Sequence, residues 1–172
     1  MKLFISICFF IFSLTLFAQD LDTKYIDKVQ SMDSTLDALY EVISGEKDEE
    51  RNWELFQYLF KPEAKLIPTG DDKNGIIETR YMSVEEYIKI ANDFLKQGFY
   101  EVEINREVNS FGNIAQVFST YKSFKSVNDT KPFMRGINSI QMLNDGKRWW
   151  VVNIYWMQES DKYPIPKQYL PH

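Results

Sequence analysis

A change of period at Gly98 limits the architecture of this chain more than any other feature of it. Before Gly98, apolar residues recur three and four apart: Val84, Tyr87, Ile88, Ala91, Phe94 and Leu95 share one face of a helix. After it, Tyr100, Val102, Ile104 and Val108 alternate with Glu101, Glu103, Asn105 and Glu107, the period of a strand with one face buried. The upstream part is therefore expected to be helical and the downstream part a sheet. Each needs the other to cover its apolar side.

The helical part has clear punctuation. Ser83-Val84-Glu85-Glu86 is a capping box, with two acids at the positive end of the helix dipole, and Gly98 is the expected stop. A first helix is expected from Asp22 to Ser44, carrying Ile26, Val29, Leu36, Leu39, Tyr40 and Ile43. Gly45 ends it, and Glu46 to Arg51 reads as a solvated charge run. Trp53, Phe56, Leu59 and Phe60 mark a shorter second helix, stopped at Lys61-Pro62. Ala64 to Ile67 reads as a short strand, followed by a turn-rich stretch from Thr69 to Gly75.

In the sheet part, Ile114–Phe124, Met134–Leu143 and Trp149–Trp156 follow the first long strand. Asn144-Asp145-Gly146-Lys147 gives the tight turn before the last of them. Short connections favour an antiparallel meander. The expectation is one α+β domain over residues 19–159, with three N-terminal helices packed on a curved antiparallel sheet. A Pro-containing C-terminal tail, residues 160–172, should run extended along its surface.

Residues 1–18 read as an export signal: a basic Met1-Lys2 head, an apolar run from Leu3 to Phe17, and cleavage after the small Ala18. The run falls short of the roughly 20 residues a membrane span needs, so no permanent anchor is expected. The expected location is exported, periplasmic or secreted, in a bacterial cell. Without Lys2, 19 basic and 25 acidic residues leave a net charge of about −6, which gives no broad attraction for nucleic acid. The single cysteine, Cys8, lies inside the apolar run, so the remaining chain has no disulfide and no thiol nucleophile. The single histidine is the terminal His172; no metal site and no cofactor are expected. The 13 Phe, 10 Tyr and 4 Trp are enough to fill a core or line a cavity.

The element order, with Asp145-Gly146-Lys147-Arg148-Trp149-Trp150-Val151-Val152-Asn153 in its last hairpin, resembles the nuclear transport factor 2-like superfamily. It looks closest to the polyketide-cyclase-like and calcium/calmodulin-kinase association-like branches, and the likeness spans Asp22 to Glu159. The resemblance implies a cystatin-like cone with a cavity. It does not imply one activity, because the superfamily holds isomerases, dehydratases, cyclases, transport adaptors and oligomerisation domains. The last-strand position where such proteins often carry a catalytic histidine falls near Asn153 or Tyr155 here, so a histidine-dependent mechanism is not implied. A carboxylate-dependent isomerase or cyclase-like enzyme requires an inward acid, for which Glu107 and Asp93 are candidates.

Six residues are candidates for a ligand pocket. Arg106 shares parity with the apolar face of its strand, where a guanidinium wants a carboxylate or an anionic ligand. A bulge or a marginal position would account for it equally. Arg135 could stand at a pocket mouth or in a surface ion pair. Trp149, Val151, Asn153 and Tyr155 share parity, making Asn153 and Tyr155 polar handles in an aromatic cavity or satisfied core groups. Trp53 and Phe56 belong to the second helix as wall or as core. Two functions follow: binding of a small apolar or anionic ligand in an aromatic-lined pocket, or a noncatalytic role in homodimerisation or protein interaction through the outer face of the sheet.

Overall fold

The computed structural model describes residues 24–171; the leader expected over residues 1–18 and His172 lie outside them. Three helices cover one face of a six-stranded sheet. Helix α1 runs Met32–Ile43, α2 Trp53–Leu59 and α3 Val84–Leu95. The strands are β1 Phe60–Asp71, β2 Ile77–Thr79, β3 Tyr100–Phe111, β4 Ile114–Phe124, β5 Met134–Asn144 and β6 Trp149–Gln158.

Helix α1 starts ten residues later than its apolar spacing suggests. Ser31 and Ser34 form a reciprocal cap: Ser34 N–H donates to Ser31 Oγ at 3.0 Å, and Ser31 N–H to Ser34 Oγ at 3.1 Å. The preceding segment holds a single 3-10 turn, Ile26–Lys28, and the carbonyl of buried Val29 accepts the Trp149 N–H at 2.8 Å. That bond ties the segment to β6 and takes it out of the helix. The cap of α3 is the one read from sequence, with Glu86 N–H on Ser83 Oγ at 3.2 Å and Ser83 N–H on Glu86 Oε2 at 2.8 Å. Gly98 follows α3 with φ 89°, and a Cβ there would lie 2.5 Å from the Lys125 carbonyl oxygen.

The sheet corrects the expected antiparallel cone in three ways. It is open, in the order β2-β1-β6-β5-β4-β3, with two separate edges. It is mixed, because β1 runs parallel to β6 while every other pair is antiparallel. The helices are also not all N-terminal to the strands, since α3 lies between β2 and β3. Parallel pairing needs a long connection, and here the chain between β1 and β6 includes α3 and the whole meander. Strand β1 is also longer than the Ala64–Ile67 segment expected, and it contains Pro62 and Pro68. Its register with β6 is irregular between Phe60 and Lys65, where Pro62 has no N–H to donate.

Two single-residue bulges set which side chains face the helices. On β3, Glu103 pairs with Tyr121 and Asn105 with Thr120, so Ile104 is extra. On β6, Val151 pairs with Met142 and Asn153 with Gln141, so Val152 is extra. The helix-facing residues are therefore Glu101, Glu103 and Arg106 on β3, and Ser119, Tyr121 and Ser123 on β4. On β5 they are Gly136, Asn138, Ile140 and Met142, and on β6 Val151, Ile154 and Trp156. Glu101 thus lies under the helices while Val102 is 45% exposed, the reverse of the phase its sequence suggests.

The core joins Leu36, Leu39 and Val42 of α1 to Phe56 and Leu59 of α2 and to Val117, Ile140, Met142 and Val151 of the sheet. Arg51, read from sequence as the end of a solvated run, is only 6% exposed. Its guanidinium donates to the carbonyls of Ile43 (3.0 Å), Glu49 (2.6 Å), Gly45 (2.9 Å) and Leu95 (2.9 Å). Ile43 and Leu95 are the last residues of α1 and α3, so one cation binds the negative ends of two helix dipoles. Any side chain at 45 would collide with it, since a Cβ there would sit 2.5 Å from Arg51 Nη1.

The C-terminal segment lies against the other face of the sheet. Thr120 Oγ1 donates to the Tyr169 carbonyl at 2.7 Å, and the Phe118 and Tyr169 rings meet edge-on with centroids 4.9 Å apart. Ile165 is buried, and its N–H donates to Glu159 Oε1 at 3.0 Å.

Candidate functional site

Between the helices and the sheet is a cavity of about 320 Å³. That is at the low end for a ligand site. Helical spacing supplies one wall: Leu39, Tyr40 and Ile43 from α1, and Tyr87, Ala91, Phe94 and Leu95 from α3. Phe56 of α2 closes one side. Leu66, Met134, Ile154 and Trp156 form the apolar part of the sheet side. The aromatic groups touch in series: Phe56 stacks on Tyr87 at 5.3 Å and 17°, and Tyr87 meets Trp156 edge-on at 6.2 Å.

The polar part of the lining is Tyr40, Glu101, Tyr121 and Asn138, together with the exposed Arg80. Glu101 is 9% exposed, and burial among apolar groups pushes its carboxyl up from 4.5 to about 7. Hydrogen bonds to the carboxylate oppose that rise: Ser123 Oγ donates to Oε2 at 3.0 Å, and Asn138 Nδ2 approaches Oε1 at 3.4 Å. No basic side chain among the described residues compensates the charge. Burial, then the nearby Glu101 carboxyl, raises the Tyr87 and Tyr121 hydroxyls well above the usual phenol range. Neither hydroxyl has a hydrogen-bond partner among the described residues. Gly136 leaves the space that Tyr121 needs, since a Cβ at 136 would lie 2.4 Å from its Oη.

A directed chain of hydrogen bonds leads away from this floor. Asn138 Nδ2 donates to Tyr40 Oη at 3.1 Å, and Tyr40 Oη lies 2.6 Å from Ser119 Oγ. Ser119 donates to Glu103, which also receives the Arg106 guanidinium; Arg106 Nη1 reaches Asp33 Oδ1 at 2.6 Å. The chain fixes Asn138 beneath Glu101 and satisfies a buried tyrosine.

The six residues singled out from sequence are dispersed. Phe56 lines the cavity. Trp53 stands behind it, edge-on to Phe56 at 5.6 Å, with Nε1–H donating to Asn92 Oδ1 at 3.1 Å. Arg106 faces the helices because of the bulge at Ile104, but it is held by Glu103 and Asp33. Arg135 forms a two-point pair with Glu159, at 2.6 and 2.9 Å. Asn153 Oδ1 accepts the Lys65 N–H at 3.2 Å, and Tyr155 is 47% exposed; the bulge at Val152 turns both off the cavity. Glu107 and Asp93 are exposed.

Glu101, Tyr40, Tyr121, Asn138 and Arg80 are lining residues that the sequence reading missed. One signal was present. Ser119, Tyr121 and Ser123 share parity with Ala115 and Val117, so the buried face of β4 carries hydroxyls that need polar partners on β3. No cluster of metal-ligating side chains occurs among the described residues, and none of their helices is long and apolar enough to cross a membrane.

No protein-family model matches this chain, and no curated protein matches it. Solved structures do. A protein with a cystatin-like fold from Nostoc punctiforme aligns over 74% of this chain and 87% of its own, at TM-score 0.56 and 12% identity. A nuclear transport factor 2-like protein from Pseudomonas putida aligns over 81% and 94%, at 0.56 and 8%. Another, from Silicibacter pomeroyi, covers 74% and 92%, at 0.52 and 12%. All three are described as proteins of unknown function. The likeness is one of fold: this chain shares with them helices packed on one face of a sheet.

Proposed function

We propose that this protein binds one small, mostly apolar molecule in the cavity, with a polar group of that molecule hydrogen-bonded at Glu101. The observation that carries this reading is a carboxyl without a basic partner at the floor of an apolar, aromatic-walled space. A structural carboxyl in such a place is costly, whereas one that exchanges a hydrogen bond with a ligand has a use. The Tyr87 and Tyr121 hydroxyls supply further donors at the same end. 2-Naphthol is a suitable probe, having an apolar body and one hydroxyl. It should raise the melting temperature of the protein but not that of Ala91→Phe, which fills the cavity from α3. Circular dichroism confirms that the variant is folded. No rise for the parent protein, or an equal rise for both, would refute the site.

A carboxyl titrating at about 7 is also poised for proton transfer near neutral pH, which supports carboxylate-dependent acid–base chemistry as a second reading. A pH–rate profile on any compound turned over should then bend near 7 and lose that limb in Glu101→Gln. A profile unchanged in the variant removes Glu101 from the chemistry.

For the rest of the chain, we propose that residues 1–18 are an export leader, that 19–159 form the domain, and that 160–172 are its tail. The basic head, apolar run and Ala18 support the first of these. The intact mass of protein recovered from the periplasm or medium of a bacterial host should match a chain beginning at Gln19. A mass that includes Met1 or Lys2 contradicts cleavage there.

A further inference from the structure

We infer that the cavity's ligand is a mostly apolar carboxylic acid with a second, uncharged polar group, bound with its carboxylate at the mouth on Arg80 and that neutral group directed inward to Glu101. This rests on the binding reading above and adds the ligand's charge and direction. Arg80 lies just beyond β2, opposite Pro68, whose carbonyl accepts its N–H at 3.2 Å, and its side chain lines the cavity. Exposed Ile90 and Phe94 lie on the same lining, so an apolar rim adjoins the cation.

The other arginines among the described residues are engaged. Arg51 is spent on four carbonyls, Arg106 on Glu103 and Asp33, Arg135 on Glu159, and Arg148 on the Tyr58 carbonyl. Arg80 has neither an ion pair nor a side-chain hydrogen bond among the described residues. Of the three acids that line the adjacent groove with Arg80, Asp71 pairs with Lys162 at 2.8 Å, Asp72 Oδ1 accepts the N–H groups of Asn74 and Ile76, and Glu78 forms no ion pair with Arg80.

The charge arrangement fixes the direction. Glu101 makes the floor acidic, so an anionic head placed there would meet an acidic group in a low-dielectric space. At the mouth the same head meets a planar guanidinium suited to a carboxylate. An acid therefore enters body first, and Glu101 in its protonated form meets the uncharged end.

Octanoate, octanol and octylamine share one apolar body and differ in the head group. Titrated calorimetrically into the purified protein at pH 7, octanoate should bind about tenfold more tightly than octanol. Arg80→Gln should remove about that factor for octanoate and leave octanol unchanged. Equal binding of octanoate and octanol, no loss in Arg80→Gln, or tightest binding of octylamine would each overturn the assignment while leaving the cavity as a binding site. Failure of all three compounds to bind, together with failure of 2-naphthol, overturns both.

Discussion

Glu101→Gln should make the protein about 3 kcal/mol more stable at pH 8 and leave its stability near that of the parent at pH 4. In the native state the carboxyl keeps its proton up to about 7, whereas unfolded it releases it near 4.5. Between those values the folded protein holds more protons than the unfolded chain, so stability falls as pH rises. Below the window both states are protonated and the cost is absent; above it both are ionised and the cost is constant. At about 1.4 kcal/mol per pH unit, the interval from 4.5 to about 7 corresponds to roughly 3 kcal/mol. Glutamine is nearly the same size, can still accept from Ser123 and carries no charge to desolvate. Urea unfolding of both proteins from pH 4 to 8 checks this. Parallel curves for the two would mean that the carboxylate is not paying a burial cost, and the electrostatic picture of the cavity floor would fail.

The opposite effect is expected at Arg51. Arg51→Ala removes donors from four backbone carbonyls and leaves the ends of α1 and α3 without their cation. The loss should be about 3–5 kcal/mol, the range for breaking a buried charged network. Arg51→Lys should recover only a minor part, because one ammonium cannot span carbonyls that a planar fork reaches. The midpoint of urea unfolding should fall in both variants with the slope unchanged. Since Ile43 and Leu95 also line the cavity, Arg51→Ala should weaken binding of 2-naphthol as well. A loss below about 1 kcal/mol would show that water replaces the guanidinium adequately at those helix ends.

Local signals made much of the fold legible. The Ser83 capping box, the stop at Gly98 and the Asn144–Lys147 turn depend on neighbouring residues, and those neighbours are in the sequence. Strand β1 was harder to read because its pairing with β6 depends on distant contacts, and two prolines disguise it. The site was the least legible part. Alternation along β3 puts Tyr100 and Val102 on one side and Glu101 and Glu103 on the other, and hydrophobicity favours burying the first pair. The tertiary structure buries the second, because Ser123 and Tyr121 on β4 face the helices and their cross-strand partners must follow. Arg51 is the other instructive case. Within Glu46–Arg51 nothing marks one charge as buried, since its acceptors are backbone atoms of other elements.

The two extra residues, Ile104 and Val152, also govern how this chain should be compared or redesigned. Each lacks a cross-strand partner of its own, so a gap-free alignment with an unbulged sheet goes out of step beyond it. Correct superposition needs a one-residue gap at 104 and another at 152. A mutant library drawn up from simple odd-and-even numbering would randomise Asn153 and Tyr155 and leave the true wall, Ile154 and Trp156, untouched.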